Sequence, residues 1–152
     1  MALTGTVQIE KEIQSSPKKF FHRFMDLPSH FHKAVGHDSH RSTLLEGDGK
    51  NVGSLLHFNY ALDGTTVRGT VFKIEALHEE KYLVIFGGHE GDALKRYKVV
   101  KIIYQVIPKH PKSSVICSIE YEKLNESVPD PTDYVNYGGK IIEGIDGIAL
   151  QD

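Results

Sequence analysis

The stretch that most constrains the fold is residues 55–121, where apolar and polar side chains alternate in one segment after another with turns between them. Residues 55–62, 66–77, 82–86, 97–107 and 115–121 read as strands, because successive side chains of a strand point to opposite faces. The connections, such as Asp63-Gly64, are too short for helical crossovers, so the strands form an antiparallel meander. Pro129-Asp130-Pro131-Thr132 then breaks the series and opens a helical window from Asp133 to about Leu150. Val135, Ile141, Ile142, Ile145 and Ile148 supply its apolar side.

Upstream, residues 3–13 alternate, with Val7, Ile9 and Ile13 on one side and Gln8, Glu10 and Glu12 on the other. Ser15-Ser16-Pro17 offers a cap followed by proline in a first helical turn, and Phe20, Phe21 and Phe24 recur at helical spacing until Leu27-Pro28. Residues 29–35 read as a second short helix, with Phe31 and Val35 four apart and Gly36 placed to end it. The order is strand, two short helices, strands, one long helix. Helices segregated beside an antiparallel sheet define the α+β class, and 152 residues without a repeat or linker give one domain, 1–152.

Eighteen basic against twenty acidic residues leave a formal charge of −2, so no summed positive field exists to hold nucleic acid. Cys117 is the single cysteine, which rules out an internal disulfide and fits a reducing cytoplasm. The N-terminal residues carry Glu10, Lys11 and Glu12 where a signal peptide would have its apolar stretch, and charges or glycines interrupt every apolar run. The expectation is a cytoplasmic protein, monomeric or weakly dimeric, without membrane insertion.

Three features invite chemistry. The loop at 46–54 is glycine-rich, but it lacks Gly-Lys-Ser/Thr opening a helix and leads into a strand, so it reads as a strand connection rather than a phosphate cradle. Nine histidines include His30, His32, His37 and His40; His30 and His32 fall on different sides of a helix and no cysteine completes a ligand spacing, so no metal or cofactor is assigned. Cys117, between Ile116 and Ser118, reads as a small buried side chain rather than a nucleophile.

Two segments carry a resemblance to a known family: residues 46–54 (Glu-Gly-Asp-Gly-Lys-Asn-Val-Gly-Ser) and residues 119–127 (Ile-Glu-Tyr-Glu-Lys-Leu-Asn-Glu-Ser). Both resemble the plant major latex proteins of the birch-pollen-allergen superfamily, and the likeness extends through Leu3-Thr4-Gly5, Asp63-Gly64 and Glu90-Gly91-Asp92. The resemblance implies a helix-grip fold: seven curved antiparallel strands around a long C-terminal helix, two short helices in a V, and a large internal cavity. It also implies a small hydrophobic partner, held by a carrier or reservoir. The alternative is a cofactor-free cyclase or isomerase of plant specialised metabolism that uses the same cavity.

Alternation puts Leu56, Phe58, Tyr60 and Leu62 on one face, and the resemblance turns that face into a cavity wall. On the same placement Val67, Gly69 and Val71, then Val84, Phe86 and Gly88, then Val100, Ile102 and Tyr104 continue the wall, joined by Met25 and by Tyr134, Tyr137, Gly138 and Ile141 of the last helix. Tyr60, Tyr104, Tyr137, His22 and His89 are the proton handlers an enzyme would draw on. Gly87-Gly88, Gly138-Gly139, Gly144 and Gly147 stand where relatives carry larger side chains; they either widen the cavity and loosen the helix or let it pack closely.

Overall fold

A computed structural model of the chain describes residues 3–26, 31, 33–35 and 41–151. Strand β1 (Thr4–Glu12) leads into helix α1 (Pro17–Met25), and a second short helix, α2, is described at Phe31 and residues 33–35. Strands β2 (Arg41–Glu46), β3 (Leu55–Tyr60), β4 (Arg68–His78), β5 (Leu83–Gly91), β6 (Tyr97–Ile107) and β7 (Ser114–Lys123) follow, then helix α3 (Thr132–Leu150). The sheet runs β1-β7-β6-β5-β4-β3-β2 with every pair antiparallel. This is the seven-stranded sheet, long terminal helix and pair of short helices that the resemblance implied.

Local chemistry accounts for the elements. Ser16 caps α1 by accepting the Lys19 N–H at 3.2 Å, Pro17 occupies the first turn, and Phe20, Phe21 and Phe24 form the buried face. Register breaks at Leu44/Glu46, Val71/Phe72, Ile74/Ala76 and Tyr97/Val99 bend the strands that carry them, which lets the sheet curve. Its concave face meets α3, where Ile142 and Ile145 are wholly buried; each such side chain contributes about 1.5–3 kcal/mol. The loop at 46–54 is a strand connection: Asp48 accepts the Lys50 and Asn51 amides at 2.8 and 2.9 Å, and Ser54 Oγ accepts the Gly49 amide.

Two expectations are corrected. Strand β2 was not foreseen from the alternation, because Arg41–Glu46 lies at the sheet edge and has almost no buried side. The face of β4 is also the opposite of the one expected. Phe58 pairs with Thr70 and Leu56 with Phe72, and directly opposed residues share a face, so Thr70, Phe72 and Ile74 point inward. Val67 precedes the strand and is 51% exposed, Gly69 sits beside His57 and Asn59 on the outer face, and Val71 is buried but lies outside the main core cluster.

Gly36, His30, His32, His37 and His40, and the end of the first helix at Leu27-Pro28, lie outside the described residues. Among the described residues no three metal-binding side chains converge, and no helix is long and apolar enough to cross a membrane.

Candidate ligand cavity

Side chains from the sheet and from all three helices converge on one internal space. Phe58 and Tyr60 of β3, Phe72 of β4, Phe86 of β5, and Ile102 and Tyr104 of β6 form its floor. Phe24 of α1, Phe31 of α2, and Tyr134, Tyr137, Gly138 and Ile141 of α3 close it. The cavity is narrower than the resemblance implied: the centre of a water-sized sphere has about 60 Å³ to move in. At roughly 10–15 Å³ per water, this is room for only a few heavy atoms.

The aromatic rings explain the narrowness. Phe24 and Tyr104 have ring centroids 4.5 Å apart, Phe31 and Phe58 5.0 Å, and Tyr60 and Tyr134 5.6 Å, all three pairs tilted or edge-on. Larger guests therefore enter only as rings rotate aside. Rings held by van der Waals contact alone can do so; those tied by hydrogen bonds resist.

Among the described residues the phenol hydroxyls are the only polar side-chain groups in the lining. Tyr60 Oη lies 2.7 Å from Tyr134 Oη and 2.6 Å from Thr70 Oγ1, and Thr70 Oγ1 accepts the Ala93 N–H at 3.0 Å. A second bond, Gly69 N–H to the Asp92 carboxylate at 2.8 Å, pins the start of β4 to the same turn. At the other side of the cavity the Tyr104 hydroxyl and the Cys117 thiol are hydrogen-bond partners.

Burial is the largest cause for all four phenols and raises them above the ordinary tyrosine range; Arg68 near Tyr60 and Arg96 near Tyr134 offset that rise only in part. For Tyr60 the hydrogen bonds to Thr70 and Tyr134 oppose that rise without cancelling it. The same burial pushes the Cys117 thiol up to about 12, so it is a neutral packing group rather than a nucleophile. The described lining is therefore uncharged at physiological pH.

Of the residues expected at the site, Phe58, Tyr60, Phe86, Ile102, Tyr104, Tyr134, Tyr137, Gly138 and Ile141 line the space. Leu56 and Val84 are core residues outside the lining, and Met25 packs against the core. Val67 and Gly69 face away, for the register reason above. His22 on α1 and His89 on β5 are exposed and are not among the residues that line the space. Phe24, Phe31 and Phe72 were not expected in the lining. The spacing of Phe24 marked a buried helix face without showing that the face borders a void.

The glycines answer the choice left open by the sequence in favour of close packing. A Cβ at Gly138 would stand 2.6 Å from Cys117 Sγ, one at Gly139 3.1 Å from Ile9 and Lys11, and one at Gly88 2.5 Å from Val100. At Gly144 it would collide with the Ala34 carbonyl of α2, and at Gly87 with the Glu75 carboxylate. Gly147 alone among these faces open space.

The family model for the pathogenesis-related protein Bet v 1 family matches residues 2–152. MLP-like protein 43 of Arabidopsis thaliana is 38% identical over 99% of the chain and 96% of its own length. The chain belongs to the Bet v 1 family, in its major latex protein branch. It spans only 48% of another relative, MLP-like protein 34 of Arabidopsis thaliana, at 38% identity. Ginseng major latex-like protein 151 from Panax ginseng superposes on this Bet v 1 family chain with a TM-score of 0.90 at 31% identity, covering 98% of the chain and 99% of the ginseng protein. Norcoclaurine synthase from Thalictrum flavum, solved with dopamine and hydroxybenzaldehyde, shares the fold with a TM-score of 0.82 at 18% identity, covering 97% of the chain and 87% of the synthase.

Proposed function

We propose that this Bet v 1 family chain, as one ligand-binding unit over residues 1–152, encloses a small hydrophobic molecule and serves as its carrier or reservoir. The observation that carries the reading is an internal space whose described wall is uncharged and consists of five phenylalanines, four tyrosines, two isoleucines and Gly138. Such a wall favours an apolar guest by about 25 cal/mol for each Å² of apolar surface removed from water. The buried free thiol of Cys117 suits a reducing compartment, which supports a cytoplasmic reservoir.

A calorimetric titration with a panel of small apolar metabolites tests the reading on the wild type and on Ile141→Phe, which fills the cavity. Binding of one guest per chain, lost in the variant, supports it. No binding across the panel, or binding indifferent to the variant, contradicts it.

A second reading, a cofactor-free cyclase or isomerase, draws support from the hydrogen-bonded Tyr60–Tyr134 pair and from the fold shared with norcoclaurine synthase. Phenols held protonated by burial are poor bases at neutral pH, so this pair suits orientation better than proton abstraction. Incubation with reactive terpenoid or alkaloid intermediates decides the matter. Faster turnover or altered stereochemistry relative to a protein-free control would establish the enzyme.

A further inference from the structure

The polar end of the cavity has a built-in direction. Thr70 is wholly buried, and among the hydrogen bonds of the described residues its Oγ1 meets only the Ala93 N–H and Tyr60 Oη. With one lone pair on the amide, the Thr70 oxygen keeps one proton and one further lone pair, and Tyr60 is the neighbour left to take that proton. Tyr60 Oη, which accepts from Thr70 at 2.6 Å, then passes its proton to Tyr134 Oη at 2.7 Å. Tyr134 accepts, and its own O–H is left for the space it lines. The amide can only donate, and the order Thr70 to Tyr60 to Tyr134 is the one that gives both inner hydroxyl protons an acceptor and leaves the last proton at the cavity.

The anchor is rigid. Gly91, with φ of +114°, brings the turn against the start of β4 so closely that a Cβ there would stand 2.5 Å from the Gly69 carbonyl. Asp92 and Ala93 then grip Gly69 and Thr70 through the two bonds already described. A donor held in this way loses little on meeting an acceptor, whereas a buried donor left without one is costly.

We infer that Tyr134 is the specificity-determining donor of the cavity, oriented through Tyr60 by Thr70 as a positioning residue, and that the guest is a neutral molecule presenting an acceptor oxygen, such as a ketone or ether, to it. The inference rests on the guest-binding reading above and narrows it. Carboxylates and ammonium ions are disfavoured because no described lining residue carries a charge to offset their desolvation.

The test compares acetophenone, cumene and benzoate, which share a ring and differ at one small substituent. An apolar cavity without a donor prefers cumene, since the ketone gives up its hydrogen bonds to water. The expected result by calorimetry on the wild type is acetophenone bound at least as tightly as cumene, with benzoate undetected. Tyr134→Phe should reverse the preference in favour of cumene by roughly tenfold, the effect of one lost hydrogen bond of about 1.4 kcal/mol. Thr70→Val should move the ratio the same way and Thr70→Ser should restore it; should the valine variant fail to fold, Tyr134→Phe and Thr70→Ser still decide. Cumene preferred by the wild type, a ratio unmoved by Tyr134→Phe, or benzoate bound comparably would overturn the inference while leaving guest binding intact. Absence of binding by both neutral probes would count against the guest-binding reading itself.

Discussion

Gly138 of α3 lies directly over Cys117 of β7, so near that a Cβ at position 138 would stand 2.6 Å from the sulfur and 3.1 Å from Tyr104 Oη. Sulfur and hydroxyl are themselves buried and bonded to each other, so neither has room to give way. The absence of a side chain sets how deeply the helix seats on the sheet, and with it the depth of the cavity that Tyr104 and Gly138 share.

Gly138→Ala should therefore be destabilising by about 1–3 kcal/mol from overpacking, partly offset by the roughly 1 kcal/mol that alanine gains over glycine in a helix. Gly147→Ala, which meets nothing within 4 Å, should keep that helical gain whole and stabilise the fold. Denaturant midpoints of the two variants check this: both moving in one direction would contradict the close-packing account.

Asp146 ties α3 to the connection between β1 and α1. Its carboxylate accepts the Gln14 and Ser15 amides at 3.0 and 2.9 Å and the Ser15 hydroxyl at 2.5 Å. Asp146→Ala leaves the Ser15 amide without an acceptor in a buried setting and should cost about 1–3 kcal/mol. A denaturation midpoint equal to the wild type would show the tie to be incidental.

Cys117 gives a pH prediction. Its thiol is pushed up to about 12 by burial, against an ordinary value near 9. The folded chain thus keeps a proton that the unfolded chain releases, so this contribution to stability is whole below the ordinary thiol range and is lost as pH rises towards 12. At pH 8 a thiol reagent should label Cys117 only through opening, slower than in denaturant by a factor on the order of 10³ or more. Prompt labelling of the folded protein would contradict the burial that defines this side of the cavity.

Much of the architecture was written in side-chain periodicity. Leu56, Phe58 and Tyr60 alternate cleanly because β3 has one buried and one wetter face, and Ile142 and Ile145 mark the buried stripe of α3 in the same way. Strand β2 was illegible: Leu44 and Leu45 are adjacent and both more than 40% exposed at an edge, so burial imposes no alternation on it. The face of β4 was misjudged because register across the connection after Tyr60 depends on loop length, and a shift of one residue exchanges the two faces. That single shift hid both Phe72 and Thr70. The glycines of α3 were ambiguous for a different reason: a missing side chain reads the same whether it borders a void or a neighbour, and only the position of Cys117 tells which.

The proposed apolar guest would sit between the sheet and α3. The most direct measurement is a set of intermolecular nuclear Overhauser effects between toluene and isotope-labelled protein. The expected contacts run from toluene protons to the terminal methyls of Ile102 and Ile141, which line that space from the sheet and from α3. Contacts confined to exposed Leu44 and Leu45, or none in a folded sample saturated with toluene, would contradict that placement.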